Sequence, residues 1–262
     1  MFDRIITSTN EDKTYLEFWR LQILTQKIFF PDKKITIAFY TNRTSEDELV
    51  KEMISEGVEV KLYPLVNAHR EGNVAKILRY LCASEYTDEV CISVDMDTIP
   101  LQSEYINHIT SKRESGRLLG VGKEVLDNTP HAGKFPAHHM CAEGYVFKKL
   151  YNPENKNFED LLNDLAGMQI FDYKEDIDRD PFSDESLNRA LIHKNKIDVQ
   201  HITRDINIHT DWIDRSWWSV NRDKLIQGKY IEANLLRPWS NHSEQIAPIY
   251  KHLLNLLNEK NG

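Results

Sequence analysis

The feature that most constrains the fold is an alternation of two kinds of segment along the first hundred residues. Segments rich in β-branched and aromatic residues, typical of buried strands, alternate with segments whose apolar residues recur at helical spacing. The predicted strands are residues 4–8, 34–40, 58–66 and 90–94, and the predicted helices are residues 13–30, 45–57 and 73–86. Strands joined through helices form parallel sheets with right-handed crossovers. The sequence therefore predicts an α/β fold whose first half carries a parallel sheet.

The second half of the chain is less regular. The predicted strands are residues 118–125, 143–148, 198–202 and 205–209, and the predicted helices are residues 158–170, 183–192 and 243–257. A loop rich in Gly, Pro and His, residues 131–141, separates the first two of these strands. In the first half, the polar residues 7–10 are predicted to form a loop, and Ser45 with Glu48 a capping box.

The strand-like run Val90 to Val94 leads directly into two aspartates, Asp95 and Asp97, and Pro100 then prevents a regular continuation. Side chains at i and i+2 of an extended chain point the same way. Ligands of open α/β sheets bind at the carboxyl ends of strands. Paired carboxylates there suit Mg²⁺ or Mn²⁺, which can hold a diphosphate against an acidic protein. A solvated turn with two acids is the alternative that the spacing alone leaves open.

Composition narrows the classes of partner. With 262 residues, 40% of them hydrophobic, the chain can form one large domain or two small ones. The formal net charge of −8 argues against a nucleic-acid partner. The sequence has no Gly-x-Gly-x-x-Gly fingerprint, which disfavours a dinucleotide dehydrogenase. It has no apolar stretch typical of a signal peptide or a membrane span, so we expect a cytoplasmic protein, of bacterial or viral origin or cut from a larger chain.

The run Ser-Val-Asp-Met-Asp-Thr-Ile-Pro-Leu, residues 93–101, resembles the DxD region of GT-A glycosyltransferases. The resemblance implies a single GT-A domain over residues 1–262, a Rossmann-like mixed sheet flanked by helices. Residues 1–100 would form its nucleotide-binding half and residues 101–262 its acceptor half. It also implies a hexosyltransferase that uses a nucleotide-diphosphate sugar, UDP-linked, and a glycan, glycoprotein or other hydroxyl acceptor. The metal, Mn²⁺ or Mg²⁺, would be bound by Asp95 and Asp97.

Three further stretches resemble the glycogenin and bacterial galactosyltransferase branch of this family. They are the helix of residues 73–81, the helix start at residues 183–188, and Leu-Arg-Pro-Trp at residues 236–239. The branch has a metal-binding His near the position of Ile231, so the third ligand must lie elsewhere. His242 is favoured for that role, with His209 as the alternative.

The resemblance also implies the remaining site residues. Asp184 and Glu185 would be catalytic, as a base towards the acceptor or by stabilising charge on the sugar, although acids in a first helical turn are also favoured by the helix dipole. Lys76 and Arg79 lie three apart on one helix face, where both could reach a phosphate or the DxD carboxylates. The predicted substrate-binding residues are Thr7, Thr9, Tyr40, Lys76, Arg79, Glu143, Arg237 and Trp239.

Two other functions remain open at this point. A nucleotidyltransferase uses a related sheet and metal carboxylates, but normally carries an N-terminal Gly-rich loop where this chain has Thr-Ser-Thr-Asn. An inactive glycan-binding module would use Trp212, Trp217 or Trp218. His138 and His139, near His131, lack the spacing of a structural zinc site, and a loop beside the acceptor is the favoured interpretation.

Overall fold

The computed structural model describes residues 1–66, 71–124, 134–167, 184–204 and 211–261. The strands are β1 Arg4–Asn10, β2 Lys34–Tyr40, β3 Glu59–Tyr63, β4 Val90–Ser93, β5 Thr98–Pro100, β6 Leu118–Val121, β7 Met140–Glu143, β8 Val199–Ile202, β9 Trp212–Ile213 and β10 Glu232–Asn234. The helices are α1 Lys13–Leu16, α2 Trp19–Phe29, α3 Glu48–Ser55, α4 Glu71–Ala83, α5 Glu104–Ser111, α6 Gly144–Tyr151, α7 Phe158–Gly167, α8 Asp184–Asn195, α9 Arg222–Ile226 and α10 Trp239–Asn261.

Within the described residues, the central sheet has seven strands in the order β3-β2-β1-β4-β7-β6-β8. Strands β3, β2, β1 and β4 are mutually parallel, as the alternation of segments predicted. Strand β7 runs antiparallel to both β4 and β6, so the sheet is mixed. A small second sheet, β5-β10-β9, packs the segment after the two aspartates against the late part of the chain.

The central sheet is covered on both faces, which explains why its strands are apolar throughout. Along β2, Ile37 and Phe39 belong to the apolar cluster that includes residues of α2 and α10. Ala38 and Tyr40 alternate with them and belong to the cluster formed with α4 and α6. This two-residue alternation is the pleat of the strand, and it fixes which residues face each helical layer.

The predicted loop at residues 7–10 is wrong. These residues continue β1 and pair with β2 from Thr7↔Ile37 to Asn10↔Tyr40. Their polar side chains are buried, with Thr9 only 1% exposed. The backbone ladder with β2 outweighs the loop preference of polar residues, and it carries Ser8 and Thr9 to the end of the strand.

The predicted strand at residues 143–148 is also wrong, because β7 ends at Glu143 and α6 begins at Gly144. Val146, Phe147 and Leu150 are buried on one face of this helix, at helical spacing. The helix start lies so close to the preceding chain that a Cβ on Gly144 would stand 2.1 Å from the Tyr86 carbonyl oxygen. Only glycine fits there.

Smaller corrections concern helix ends. Asp47, not Ser45, caps α3, since its side chain accepts a hydrogen bond from the Leu49 amide. The helix predicted over residues 13–30 is two helices, and the turn between them buries Phe18. The three cysteines, Cys82, Cys91 and Cys141, are buried free thiols. Among the described helices, none combines the length and apolar character that crossing a membrane requires.

Candidate active site

A cleft of about 260 Å³ lies at the carboxyl ends of β1 and β4. Ser8 and Thr9 of β1 line it, and so do Asp95 and Asp97, which follow β4. Among the described residues, its charged lining consists of four acidic and four basic side chains: Asp95, Asp97, Asp184, Glu185, Lys76, Arg79, Arg215 and Arg237. In a chain with a net charge of −8, four basic side chains in one cleft offer contacts to an anionic ligand, and the four carboxylates beside them offer contacts to a cation.

Asp95 lies between two basic groups. One carboxylate oxygen, Oδ1, contacts Arg79 Nη1, and the other, Oδ2, lies 3.5 Å from His138 Nδ1. Burial alone would raise the pKa of Asp95, but the Arg79 charge and the contact with His138 hold it well below its usual range. The carboxyl group is therefore ionised at neutral pH.

Asp97 is almost fully buried and contacts two arginines. Arg215 Nη1 lies 2.5 Å from its Oδ2, and Arg237 Nη1 lies 3.3 Å from the same atom. Arg237 also donates a hydrogen bond to the Tyr15 hydroxyl and lies 4.8 Å from the centre of the Tyr15 ring. Both guanidinium groups are about 29% exposed, so they face the cleft as well as the carboxylate.

Arg79 is the buried centre of a second network. Its side chain is 4% exposed, and its Nη2 lies 2.9 Å from Asp184 Oδ2 and 2.7 Å from the Tyr80 hydroxyl. The Tyr80 hydroxyl donates to the Ala137 carbonyl oxygen at 2.9 Å. Burial raises the pKa of Asp184, and the Arg79 charge opposes that rise. Asp184, the first residue of α8, is thus held by an ion pair and not by the helix dipole alone.

His138, His139 and Glu232 form a cluster beside Asp95. Glu232 is 2% exposed, and its two oxygens lie 2.7 Å from His138 Nε2 and 2.8 Å from His139 Nε2. Burial raises the pKa of Glu232, but the two imidazoles outweigh it and hold that pKa well below its usual range. An ionised carboxylate only accepts hydrogen bonds, so both Nε2 atoms carry protons.

The same contacts shift the two imidazoles in opposite directions. Burial lowers the pKa of His139, and the neighbouring His138 lowers it further. Burial also lowers the pKa of His138, but Glu232 and Asp95 together raise it above the usual value. His138 lines the cleft and packs on Trp212, with 5.1 Å between ring centres. One potential ligand atom from each residue lies within 4.8 Å of the others, so a metal could bind within this cluster only in place of the two Nε2 protons.

Several predicted site residues do not line this cleft. The Tyr40 side chain is fully buried, and its hydroxyl accepts a hydrogen bond from the Val66 amide at 2.7 Å. Trp239 packs edge-on against Phe18 and Tyr250. Thr7 is buried in β1 and does not belong to the described lining, although Thr9 does.

Glu143 lies at the opposite edge of the sheet. Because β7 is antiparallel to β4, Met140 pairs with Ser93 next to the two aspartates, whereas Glu143 pairs with Val90 at the other end. There it forms an ion pair with Arg113 at 2.7 Å. This position does not agree with the substrate-binding role predicted for Glu143, since the start of β7, not its end, faces the cleft.

His242 was the favoured third metal ligand. Its Nδ1 lies 2.7 Å from Gln245 Oε1, at a non-helical break in α10, and it does not belong to the described cleft lining. The alternative, His209, lies outside the described residues, as does Ser183 at the predicted helix start.

Sequence reasoning did not identify Glu232 or Arg215 as site residues. Glu232 lies 94 residues from His138 and Arg215 lies 118 residues from Asp97, so no local spacing relates them. The adjacent His138 and His139 were a visible signal, but their partner is brought in only by β10.

No family model and no curated protein sequence matches the chain. Among solved structures, a crystal structure of an active-site mutant of LgtC aligns over 98% of this chain and 95% of its own, with a TM-score of 0.53 and 10% identity. The chain shares the fold of LgtC. This likeness confirms the predicted fold, a GT-A-type mixed sheet flanked by helices, and at this identity it establishes the fold alone.

Two further structures align at lower scores. The galactosyltransferase LgtC in complex with donor and acceptor sugar analogues has a TM-score of 0.47 and 9% identity, over 98% of this chain and 95% of that one. The glycosyltransferase GlyE of Streptococcus pneumoniae TIGR4 has a TM-score of 0.48 and 9% identity, over 77% of this chain. The alignment spans 45% of the GlyE chain.

Proposed function

We propose that this chain is a glycosyltransferase that moves a hexose from a UDP-linked donor to a hydroxyl group of a glycan, glycoprotein or other acceptor. The observation that carries the proposal is the cleft, where Asp95 and Asp97 face the basic side chains of Arg215, Arg237 and Lys76 at the carboxyl edge of the sheet. The fold shared with LgtC, a protein named as a galactosyltransferase, agrees with this class.

Asp95 and Asp97 fit a hard divalent ion, Mn²⁺ or Mg²⁺. Carboxylate oxygens are the donors that such ions prefer. Among the described residues, the ion pairs of Asp97 all use Oδ2, and Asp95 remains 33% exposed to the cleft. When bound, the ion would supply positive charge that offsets the charge developing on the diphosphate leaving group.

Arg215 and Arg237 are proposed to bind the diphosphate. The planar guanidinium group matches two phosphate oxygens, and the two side chains already lie together on Asp97. Tyr15 positions Arg237 from the other side through its hydroxyl and its ring. Binding of the donor would therefore exchange part of the Asp97 contact for a phosphate contact, without moving the arginines far.

Asp184 and Glu185 are proposed to act on the sugars. Asp184 is held at one place by Arg79 and Tyr80, which suits a group that orients the donor sugar or acts as the base towards the acceptor hydroxyl. Glu185 follows it in the same cleft lining and is the second candidate for the base. Arg79 is proposed to position both Asp95 and Asp184.

The test is release of UDP from a panel of UDP-hexoses, with Mn²⁺ or with EDTA. We expect Mn²⁺-dependent release of UDP from at least one donor, and loss of that release in Asp97→Asn. Release of pyrophosphate from a nucleoside triphosphate and a sugar phosphate would instead indicate a nucleotidyltransferase. Glycan binding without turnover of any donor would indicate a binding module, and either result would contradict the proposal.

A further inference from the structure

The two ring nitrogens of His138 have different surroundings, and only one of them forms a hydrogen bond of ordinary length. Its Nε2 makes a short hydrogen bond, 2.7 Å, to the buried carboxylate of Glu232. Its other nitrogen, Nδ1, lies 3.5 Å from Asp95 Oδ2. That distance is too long for a strong N–H···O bond, which is 2.7–3.2 Å as a rule.

The 3.5 Å between His138 Nδ1 and Asp95 Oδ2 is compatible with two atoms that bind the same ion. With metal–ligand bonds of about 2.1 Å, neighbouring ligands on an octahedral or tetrahedral ion lie about 3.0–3.5 Å apart. His138 Nδ1 and Asp95 Oδ2 have this spacing. Because Glu232 only accepts, the proton of a neutral His138 lies on Nε2 and the lone pair of Nδ1 faces the cleft.

The surroundings of His138 match those of a metal-binding histidine. Such residues donate their second N–H to a carboxylate, which fixes the ring and raises its basicity. Glu232 does this from β10, and Trp212 packs against the ring, while the Arg204 guanidinium lies 4.1 Å from the centre of the Trp212 ring. Glu232 and Trp212, both distant from His138 in sequence, therefore hold this imidazole beside the Asp95 carboxylate.

We propose that His138 Nδ1 is the third protein ligand of the divalent ion bound by Asp95 and Asp97, with Glu232 as the residue that orients it. The inference rests on the metal dependence in the proposed function. It replaces His242, whose imidazole contacts Gln245 instead. His139 is not proposed as the ligand, because it is 2% exposed and does not belong to the described lining of the cleft.

The experiment is pulsed electron paramagnetic resonance of Mn²⁺ bound to the full chain in the presence of UDP. An imidazole nitrogen on Mn²⁺ modulates the spin echo, whereas carboxylate and phosphate oxygens do not. We expect this nitrogen modulation in the wild type and in His242→Ala, and its loss in His138→Ala. Titrations should show Mn²⁺ affinity falling at least about 10-fold in His138→Ala, and by a smaller factor in Glu232→Gln, which keeps the shape of the side chain.

The possible outcomes separate this inference from the proposed function. Bound Mn²⁺ without nitrogen modulation in the wild type would overturn the inference and leave the metal-dependent function standing. Modulation that persists in His138→Ala, or that is lost in His209→Ala instead, would overturn it as well. No bound Mn²⁺ even with UDP present would overturn both. The wild-type spectrum is informative even if a variant fails to fold.

Discussion

Replacing Arg79 with methionine removes the cation that lies between Asp95 and Asp184. The guanidinium group is 4% exposed and contacts each carboxylate with a different nitrogen, Nη1 and Nη2. Methionine fills similar space without charge. The variant therefore leaves two neighbouring carboxylates without their shared partner.

The magnitude follows from the burial of the two acids. Removing one member of a buried ion pair costs about 3–5 kcal/mol of unfolding free energy. The Asp95 side chain is 33% exposed and that of Asp184 is 14% exposed, so solvent screens part of the charge. We therefore expect Arg79→Met to cost about 3 kcal/mol, the lower end of this range. At about 2–4 °C per kcal/mol, the midpoint of thermal unfolding should fall by roughly 6–12 °C.

A second substitution, Asp184→Asn, should change the unfolding free energy in opposite directions in the wild type and in Arg79→Met. In the wild type, Asp184→Asn removes a charge-assisted hydrogen bond to Arg79 and should cost about 1–2 kcal/mol. In the Arg79→Met background the same substitution removes an uncompensated charge, and it should restore about 1–2 kcal/mol. Urea unfolding followed by circular dichroism measures all four proteins. Arg20→Met is the matched control, because its partner Glu52 is 43% exposed and the pair should contribute under about 1 kcal/mol. Equal effects of Asp184→Asn in both backgrounds would refute the account of this network.

Three further predictions concern single acids. Hydrogen bonding to Arg4 lowers the pKa of Glu89 from 4.5 to about 2, so this carboxylate contributes stability at neutral pH that is lost as the pH falls between those two values. In acid titrations monitored by circular dichroism, the unfolding free energy of Glu89→Gln should fall by about 2 kcal/mol less than that of the wild type over this range. Parallel titration curves would contradict this prediction. Glu185→Gln should lower the transfer rate about 100-fold with little change in unfolding temperature, and a change in stability alone would show that Glu185 only favours the helix start. Glu143→Gln should leave the transfer rate unchanged, since Glu143 and its partner Arg113 lie at the far edge of the sheet. Loss of this ion pair should lower the unfolding free energy by about 1–2 kcal/mol. A large loss of turnover without a loss of stability would instead support the predicted substrate-binding role of Glu143.

The parts of the fold that local pattern determines could be predicted from the sequence. β2 was predicted with its observed bounds, Lys34–Tyr40, because burial on both faces makes a continuous apolar run between turn residues. The segment around Asp95 was located for the same reason, since β4 begins with its apolar run at Val90 and ends at Ser93, one residue before that run ends. The loop prediction for residues 7–10 failed because the conformation of this polar segment depends on its hydrogen-bonded pairing with β2, which is a non-local interaction.

The site was predictable only as far as its residues adjoin regular elements. Arg79 and Asp95 were identified from a helix and a strand, but their direct contact depends on how α4 packs on the sheet. Glu232 and Arg215 lie on short elements in the late part of the chain, where neither periodicity nor a motif marks them. Charged side chains that meet through tertiary packing leave no local signal, so the sequence pointed to Asp95, Asp97 and Arg79 but not to Glu232 or Arg215.

The central claim is that the cleft binds a nucleoside diphosphate together with a divalent ion held by Asp95 and Asp97. Isothermal titration calorimetry of UDP, with Mn²⁺ or with EDTA, tests it directly in the wild type and in Asp97→Asn. The account predicts that Mn²⁺ tightens UDP binding to the wild type at least about 10-fold, and that Asp97→Asn abolishes this gain while remaining folded. Equal UDP affinity with Mn²⁺ and with EDTA, or an undiminished Mn²⁺ effect in Asp97→Asn, would contradict it.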